Sequence, residues 1–430
     1  MQTEFSLAQL ADPRNAESER IIRKCVHCGF CIATCPTYLE LGNELDSPRG
    51  RIYQIKDVFE NDKPADAEFT LHIDRCLSCL ACMTTCPSGV DYMHLVDRAR
   101  VHIEDTYKRP LTDRVMREVL VRILPYPKRF RAALTAARLA RPLAPFLDLL
   151  GGPFRRVAAM LRLSSAPASA VQSPPIVLPV APRGRVAILA GCAQSVLDPG
   201  INRAAENLLA RFDVEVVRPE GEGCCGALVH HMGREDEARD FARNNIDVWV
   251  REIANGLDAI LITTSGCGTV IKDYGHLLAG DPEYAPKAAE IARRTFDISE
   301  YLATLDLPAV TASGVSVAYH SACSLQHGQR VLLPPRLLLE RAGFGLREIP
   351  EGHICCGSAG TYNILQPEIA GQLRDRKLGN IAKTGADIIA TGNIGCMTQL
   401  ASGTETPIVH LVELLDWAYG GAKPAAITRQ

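Results

Sequence analysis

The stretch CVHCGFCIATCP, residues 25–36, returns as CLSCLACMTTCP at residues 76–87. Both copies read C-x-x-C-x-x-C-x-x-x-C-P, and each cysteine of the second lies 51 positions beyond its counterpart. Three thiolates at intervals of three can wrap one [4Fe–4S] cubane on a short, turn-rich segment. The fourth cannot bend back to the same cubane and ligates the other. The spacing therefore predicts two clusters. One sits on Cys25, Cys28, Cys31 and Cys86, the other on Cys76, Cys79, Cys82 and Cys35. Pro36 and Pro87 end each turn and fix the direction of the chain as it leaves the ligands. Disulfides would require an oxidising compartment, and residues 1–10 carry no signal peptide. Structural zinc favours two separated pairs of ligands over four crowded cysteines.

Working outward, the 40 residues between Cys35 and Cys76 exceed what a minimal bacterial ferredoxin needs. Ser47 can cap a helix, Pro48 suits its first position, and Ile52, Ile55, Val58 and Phe59 recur with helical period. An all-helical two-cluster domain over residues 1–109 is expected. Arg49 and Arg51 could place positive charge near a cluster and raise its potential, or sit solvated in a first helical turn. His27, inside the first motif, is read as an exposed or supporting residue, because its four-cysteine set is complete.

Composition sets the class. Of 430 residues, 47% are hydrophobic and 22% charged, as in ordinary globular proteins, and the net charge of −2 gives no global attraction to nucleic acid. No apolar run reaches transmembrane length. Sixteen cysteines without a secretory signal point to a reducing, cytoplasmic compartment and to metal ligation. There is no G-x-G-x-x-G after a strand and no Walker A sequence, so flavin or nucleotide binding in this chain has no support. No Ser-His-Asp or paired-carboxylate pattern stands out, and no catalytic residue is assigned.

Residues 110–183 form a second region, helical and basic. Leu111–Ser165 holds 11 Lys/Arg against 3 Asp/Glu, with leucine, valine and phenylalanine interleaved. Such a segment suits docking to a partner subunit or peripheral contact with the inner membrane's cytoplasmic face, or simply a surface helix pair between domains. Prolines at 125, 127, 142 and 145 interrupt any long amphipathic face. Ser164–Gly184 reads as an extended Pro/Ser/Ala linker.

The rest is an internal repeat, expected as units over 184–310 and 311–430. GRVAILAGC, ending at Cys192, recurs as GVSVAYHSAC, ending at Cys323. The pair Cys224–Cys225 recurs as Cys355–Cys356 at the same offset of 131, and Cys267 recurs as Cys396 at an offset of 129. Each unit reads strand, helix, strand, helix, strand; in the first, Val186–Leu189, Val214–Val217 and Ile260–Thr263 are the strands. Asn202–Phe212 and Asp236–Asn255 are the helices. That alternation predicts a parallel α/β sheet, with the cysteines at or past the carboxyl ends of its strands. Cys192, Cys224, Cys225 and Cys267 should meet in one crevice, and Cys323, Cys355, Cys356 and Cys396 in its pseudo-symmetric mate. Gly223, Gly226 and Gly357 should permit close backbone approach there. His230, His231, His320 and His327 lie near these cysteines, as partners of a metal site or as ordinary packed imidazoles.

The two repeats resemble the CCG domains of heterodisulfide reductases and related oxidoreductase subunits. Taken with CVHCGFCIATCPTYLELGNELDSPRGRIY, TTSGCGT, FARNNIDVW, CSLQH and CCGSAGTYN, the chain resembles the glycolate oxidase (glycolate dehydrogenase) iron–sulfur subunit family over nearly its whole length, least between residues 110 and 182. The resemblance implies an electron carrier without organic substrate of its own. It implies a FAD-containing partner that oxidises glycolate to glyoxylate, and a membrane quinone as acceptor. It departs from the heterodisulfide pattern at Val270 and Gln399, where each repeat would carry a fifth cysteine. Four thiolates per repeat could hold a conventional cluster or zinc, or keep paired thiols for redox chemistry. Competing readings are a subunit of an anaerobic glycerol-3-phosphate or lactate dehydrogenase, a reductase with its own site in the repeats, and a metal-stabilised scaffold.

Overall fold

A computed structural model of the chain describes residues 1–164, 182–311 and 314–428. The stretch expected as an extended linker falls, except at its ends, outside the described residues. The amino-terminal region is all-helical. Its helix Pro48–Glu60 starts where the sequence implies: Ser47 Oγ accepts the Gly50 N–H at 3.0 Å, and Pro48 occupies the first turn. Ile52, Ile55, Val58 and Phe59 face inward from it. They pack against Ile21 and Ile22 of helix Pro13–Lys24 and Leu95, Val96 and Ile103 of helix Tyr92–Thr106. Each such side chain contributes about 1.5–3 kcal/mol by leaving water.

Four helices follow: Leu111–Ile123, Pro127–Ala140, Ala144–Leu150 and Pro153–Leu163. Three of them have proline at a first or second position, so Pro127, Pro145 and Pro153 start helices rather than break them. Part of the segment's positive charge is spent internally. Arg117 pairs with Asp74 at 2.8 Å and Arg156 with Asp113 at 2.6 Å. Arg234 of the first repeat reaches back to Glu118.

Each repeat is a four-stranded, wholly parallel sheet. The first runs β2 (Val214–Val217), β1 (Gly184–Ile188), β3 (Ala259–Ile262), β4 (Thr295–Asp297); the second runs β6 (Gly345–Arg347), β5 (Ser316–Tyr319), β7 (Ile388–Thr391), β8 (Ile408–His410). Three strands per repeat are expected from sequence; the structure adds β4 and β8, three residues each, at one edge. The order reverses between β1 and β3, and between β5 and β7. That switch point is where loops at the carboxyl ends diverge and leave a crevice. The two sheets share one apolar core, in which Val186, Ile188 and Leu261 lie with Val317, Tyr319 and Ala390. Polar contacts join the repeats at their centre. Asn393 Nδ2 donates to Ser265 Oγ at 2.8 Å, Ser265 and Ser324 hydroxyls meet at 2.7 Å, and the His410 ring bonds Thr263 O at 2.8 Å.

Candidate metal centres

All sixteen cysteines are free thiols, and the structure gathers them into four groups. Cys25, Cys28, Cys31 and Cys86 line one small cavity of about 30 Å³ near the surface, with Cys82, Pro48, Arg49 and Pro87. This outer set is open on one side. Cys28 is exposed, Cys31 and Cys86 are half-buried, and Val26 and Phe30 beside them are 67% and 63% exposed. His27 lines the same cavity with its ring 6.1 Å from that of Tyr53. Burial, with the neighbouring Cys25 and Cys35 sulfurs, pushes the Cys31 thiol up to about 11.

The inner set is buried. Cys79 lies within electrostatic range of Cys35 and Cys76, and Cys82 of Cys79, Cys76, Cys35 and Cys31. Cys35 thus lies near Cys79 and Cys82 of the second motif and also near Cys31 of its own, while Cys86 lines the outer cavity with the first motif's cysteines and Cys82. Tyr92 Oη donates to Cys76 Sγ at 3.6 Å, and Thr37 Oγ1 lies 3.2 Å from Cys35 Sγ. Arg51 Nη1 stands 4.0 Å from Cys35 Sγ, while its Nε donates to His72 O and its Nη2 to Thr37 Oγ1. Burial opposes this guanidinium's charge, yet the Cys76 sulfur, Tyr92, Cys35 and Asp46 together hold it firmly protonated. Arg49, two residues earlier, instead pairs with Glu44 at 2.7 Å.

In the first repeat, Cys224 and Cys192 sulfurs approach to 3.5 Å, and Cys225 contacts Cys224 and Cys267. In the second, Cys323 and Cys355 approach to 3.7 Å, and Cys356 contacts Cys355 and Cys396. These separations are non-bonded, far beyond the roughly 2 Å of a disulfide. The loops use one device twice. Gly226 N–H donates to Cys224 Sγ and Gly357 N–H to Cys355 Sγ, both at 3.4 Å. Each glycine has φ near +86° (+85° and +87°), and a Cβ would stand 3.0 Å from Ala238 O or 2.5 Å from Ala370 O. No other residue type fits there without strain.

The two crevices are not separate. All four cysteines of the second tetrad, with Cys192, Cys225 and Cys267 of the first, line a single cavity of about 360 Å³, walled mainly by apolar side chains, among them Leu120, Phe130, Leu134, Met160 and Leu163 of the basic segment. The second tetrad also touches the amino-terminal domain: Cys79 interacts with Cys323 and Cys355, and Leu77 and Cys79 pack with Cys355 in one apolar cluster.

Of the four histidines near these cysteines, three face elsewhere. His230 Nε2 pairs with Asp97 at 3.3 Å, His231 lies beside the same carboxylate, and His327 bonds Thr84 Oγ1 at 2.8 Å and His353 O at 3.1 Å. Only His320 turns towards sulfur. One of its ring nitrogens and the Cys356 and Cys396 sulfurs all lie within 4.8 Å of one another. The sequence offered no sign of two further features, the buried Lys377 beside the second tetrad and the Asp46 carboxylate beneath Arg51.

The donor sets suit iron–sulfur clusters. Sixteen thiols in four converging groups, without disulfides and mostly buried, are what thiolate-ligated iron requires. Residues 21–90 match the 4Fe-4S dicluster domain family, and residues 186–272 and 317–401 match the CCG cysteine-rich domain family. Across its length the chain is similar to the glycolate oxidase iron-sulfur subunit of Escherichia coli, 41% identical over 97% of this chain and 99% of that protein. It is also similar to a probable glycolate oxidase iron-sulfur subunit of Bacillus subtilis, 32% identical over 98% and 99%. Lactate utilization protein A of Bacillus cereus is 24% identical over 54% of this chain and 98% of its own. A hypothetical protein from Helicobacter pylori has a crystal structure that matches at a TM-score of 0.53 and 12% identity, over 97% of this chain and 74% of that one, a likeness of fold.

Proposed function

The chain belongs to the glycolate oxidase iron–sulfur subunit family, and from that premise we propose that it draws electrons from a FAD-containing partner oxidising glycolate and delivers them towards a quinone. It is an electron-transfer iron–sulfur subunit of an oxidoreductase complex. In our reading Cys25, Cys28, Cys31 and Cys86 hold one [4Fe–4S] cluster and Cys76, Cys79, Cys82 and Cys35 the other. Clusters so bound supply one-electron carriers, which can divide the electron pair of a reduced flavin.

The observation that carries this reading is the gradient of burial across the thiol groups. The outer set stands at the surface, rimmed by exposed Val26, Phe30 and Tyr53, an apolar ring suited to a partner protein. The inner set is enclosed, and the second repeat's tetrad lies directly against it. Protein residues set the polarity along this line: Tyr92 and Thr37 hydrogen-bond inner sulfurs, and Arg51 brings fixed positive charge.

The acceptor end follows from the large cavity. Its volume and apolar walls suit a small hydrophobic ring, and quinones have that character. The same basic segment also bears Leu139, Leu143, Phe146, Leu149 and Leu150 exposed, with Lys128, Arg131 and Arg141. We assign this face to an anionic membrane surface, where a quinone partitions. Among the described residues no helix is long and apolar enough to cross a membrane, so contact would be peripheral.

The test is copurification with the flavoprotein, then dye and quinone reduction with glycolate, D-lactate or glycerol 3-phosphate. Glycolate should be the best donor. Cys79→Ser should stop quinone reduction while the partner's flavin still reduces with glycolate. A complex active only on glycerol 3-phosphate would refute the substrate and leave electron transfer standing.

A further inference from the structure

We infer that His320 is an iron ligand, giving one imidazole nitrogen, alongside the Cys356 and Cys396 thiolates, to an iron–sulfur cluster held by the second repeat. This rests on the reading that the repeat's tetrad binds such a cluster. His320 follows the last residue of β5, at the switch point, and is 2% exposed. Its main-chain N–H is used in the sheet, bonding Ala390 O at 2.8 Å. Its ring is not: neither Nδ1 nor Nε2 has a hydrogen-bond partner. An unpaired polar group in the interior is destabilising, so a packed imidazole normally finds a donor or acceptor. What this ring has instead are the Cys356 and Cys396 sulfurs, with the ligand atoms of all three residues mutually within 4.8 Å. Iron bound there would take up the nitrogen.

The first repeat serves as an internal comparison. At the offset that maps Cys192 onto Cys323, the place of His320 is taken by Leu189, which cannot ligate. A second difference points the same way. Gly226 packs on Ala238 and Gly357 on Ala370, which aligns the two following helices and sets Lys377 where the first repeat has Asn245. Lys377 is 1% exposed, donates to Glu351 O at 2.9 Å, and lies within electrostatic range of Cys355, Cys356 and Cys396. A buried cation is costly unless it faces negative charge, which thiolates around iron would supply. The second repeat therefore has a fifth donor and a counter-charge, and the first has neither at the corresponding positions. A neutral imidazole serving instead of the anionic fifth thiolate that this repeat lacks at Gln399 raises a cluster's potential. Lying against Cys79, this centre would be the electron sink for the inner set.

The experiment uses the full chain in its flavoprotein complex, prepared anaerobically with 15N-histidine. Iron and sulfide are counted, and reduced clusters are examined by pulsed EPR. About twelve irons per chain are expected, given four per cluster. A strong hyperfine coupling to histidine nitrogen is expected on one cluster. His320→Leu should abolish that coupling. His320→Cys should abolish it too, yet keep the iron and shift that cluster to lower potential. Persistence of the coupling in His320→Leu would overturn the inference, as would a third cluster without nitrogen coupling. So would about eight irons in the wild type with no loss in Cys356→Ser, or zinc at the second tetrad. A complex that shows the coupling but does not oxidise glycolate would sink the substrate assignment alone.

Discussion

Arg51 and Asp46 form the most deeply buried charge pair beside the inner thiols, at 1% and 0% side-chain exposure and 3.5 Å apart. Asp46 also holds the His72 ring and Arg75, each at 2.9 Å. Removing Arg51 leaves Asp46 its Arg75 and His72 partners but takes the donor from the buried His72 carbonyl and Thr37 hydroxyl, at a cost of about 1–3 kcal/mol for each group left unsatisfied. Arg51→Met should therefore lower the anaerobic melting temperature markedly, and the inner cluster's potential should fall with the loss of positive charge. Arg51→Lys keeps the charge without the planar fork and should fall between. An unchanged melt in Arg51→Met would refute this account. The SPRGR stretch marks both arginines in the sequence, but not which one turns inward. Residues two apart on a helix lie about 200° apart around its axis, so Arg49 and Arg51 point to opposite sides. The same limit explains the histidines. Nearness in sequence to a cysteine singles out His230, His231, His320 and His327, while the backbone path decides that only His320 meets sulfur.

At the scale of elements, the motif spacing and the apolar runs carry most of the fold. β1, β2 and β3 fall within about two residues of their expected positions, because β-rich runs bounded by turns are a strong local signal. β4 and β8 escape because three residues are too few to show a period. Contacts between distant elements escape as well. His94, on helix Tyr92–Thr106, stacks at 3.5 Å on His276 of the first repeat, bonds Asp273 at 3.1 Å and pairs with Asp91 at 2.8 Å. Glu17 faces His276 from a third element. Burial opposes protonation of His94, but Asp273 and Asp91 outweigh it and raise the group to about 10 from its ordinary 6.5. The protonated ring thus stabilises this interface fully below about pH 6.5, and that contribution is lost as pH rises towards about 10. Between pH 7 and 10 the wild-type melting temperature should fall more steeply than that of His94→Asn. Parallel curves for the two proteins would show that the imidazolium does not hold the repeat to the helical domain.

Viewed whole, the molecule puts its exposed outer thiols in one domain and its exposed apolar helices in another. Leu139 is 81% exposed, Leu149 86% and Phe146 61%, and no other short stretch among the described residues presents so much unpartnered apolar surface with basic side chains around it. Apolar insertion and attraction to anionic lipid then act on one segment, and the second is weakened by salt. Replacing Leu139, Phe146 and Leu149 together with serine removes the first contribution and leaves the charges. These side chains make little packing in the free chain, so the melting temperature should hold within a degree or two, as for surface changes generally. Cosedimentation with vesicles containing anionic lipid should drop several-fold in the triple variant. For the wild type it should weaken as salt rises and be poor on vesicles of neutral lipid. Dye reduction by the flavoprotein complex should be unaffected, since a soluble acceptor needs no membrane, while reduction of a long-tailed quinone in the vesicles should fall in step with binding. Equal vesicle binding by the two proteins would place the membrane elsewhere and return these helices to a protein partner.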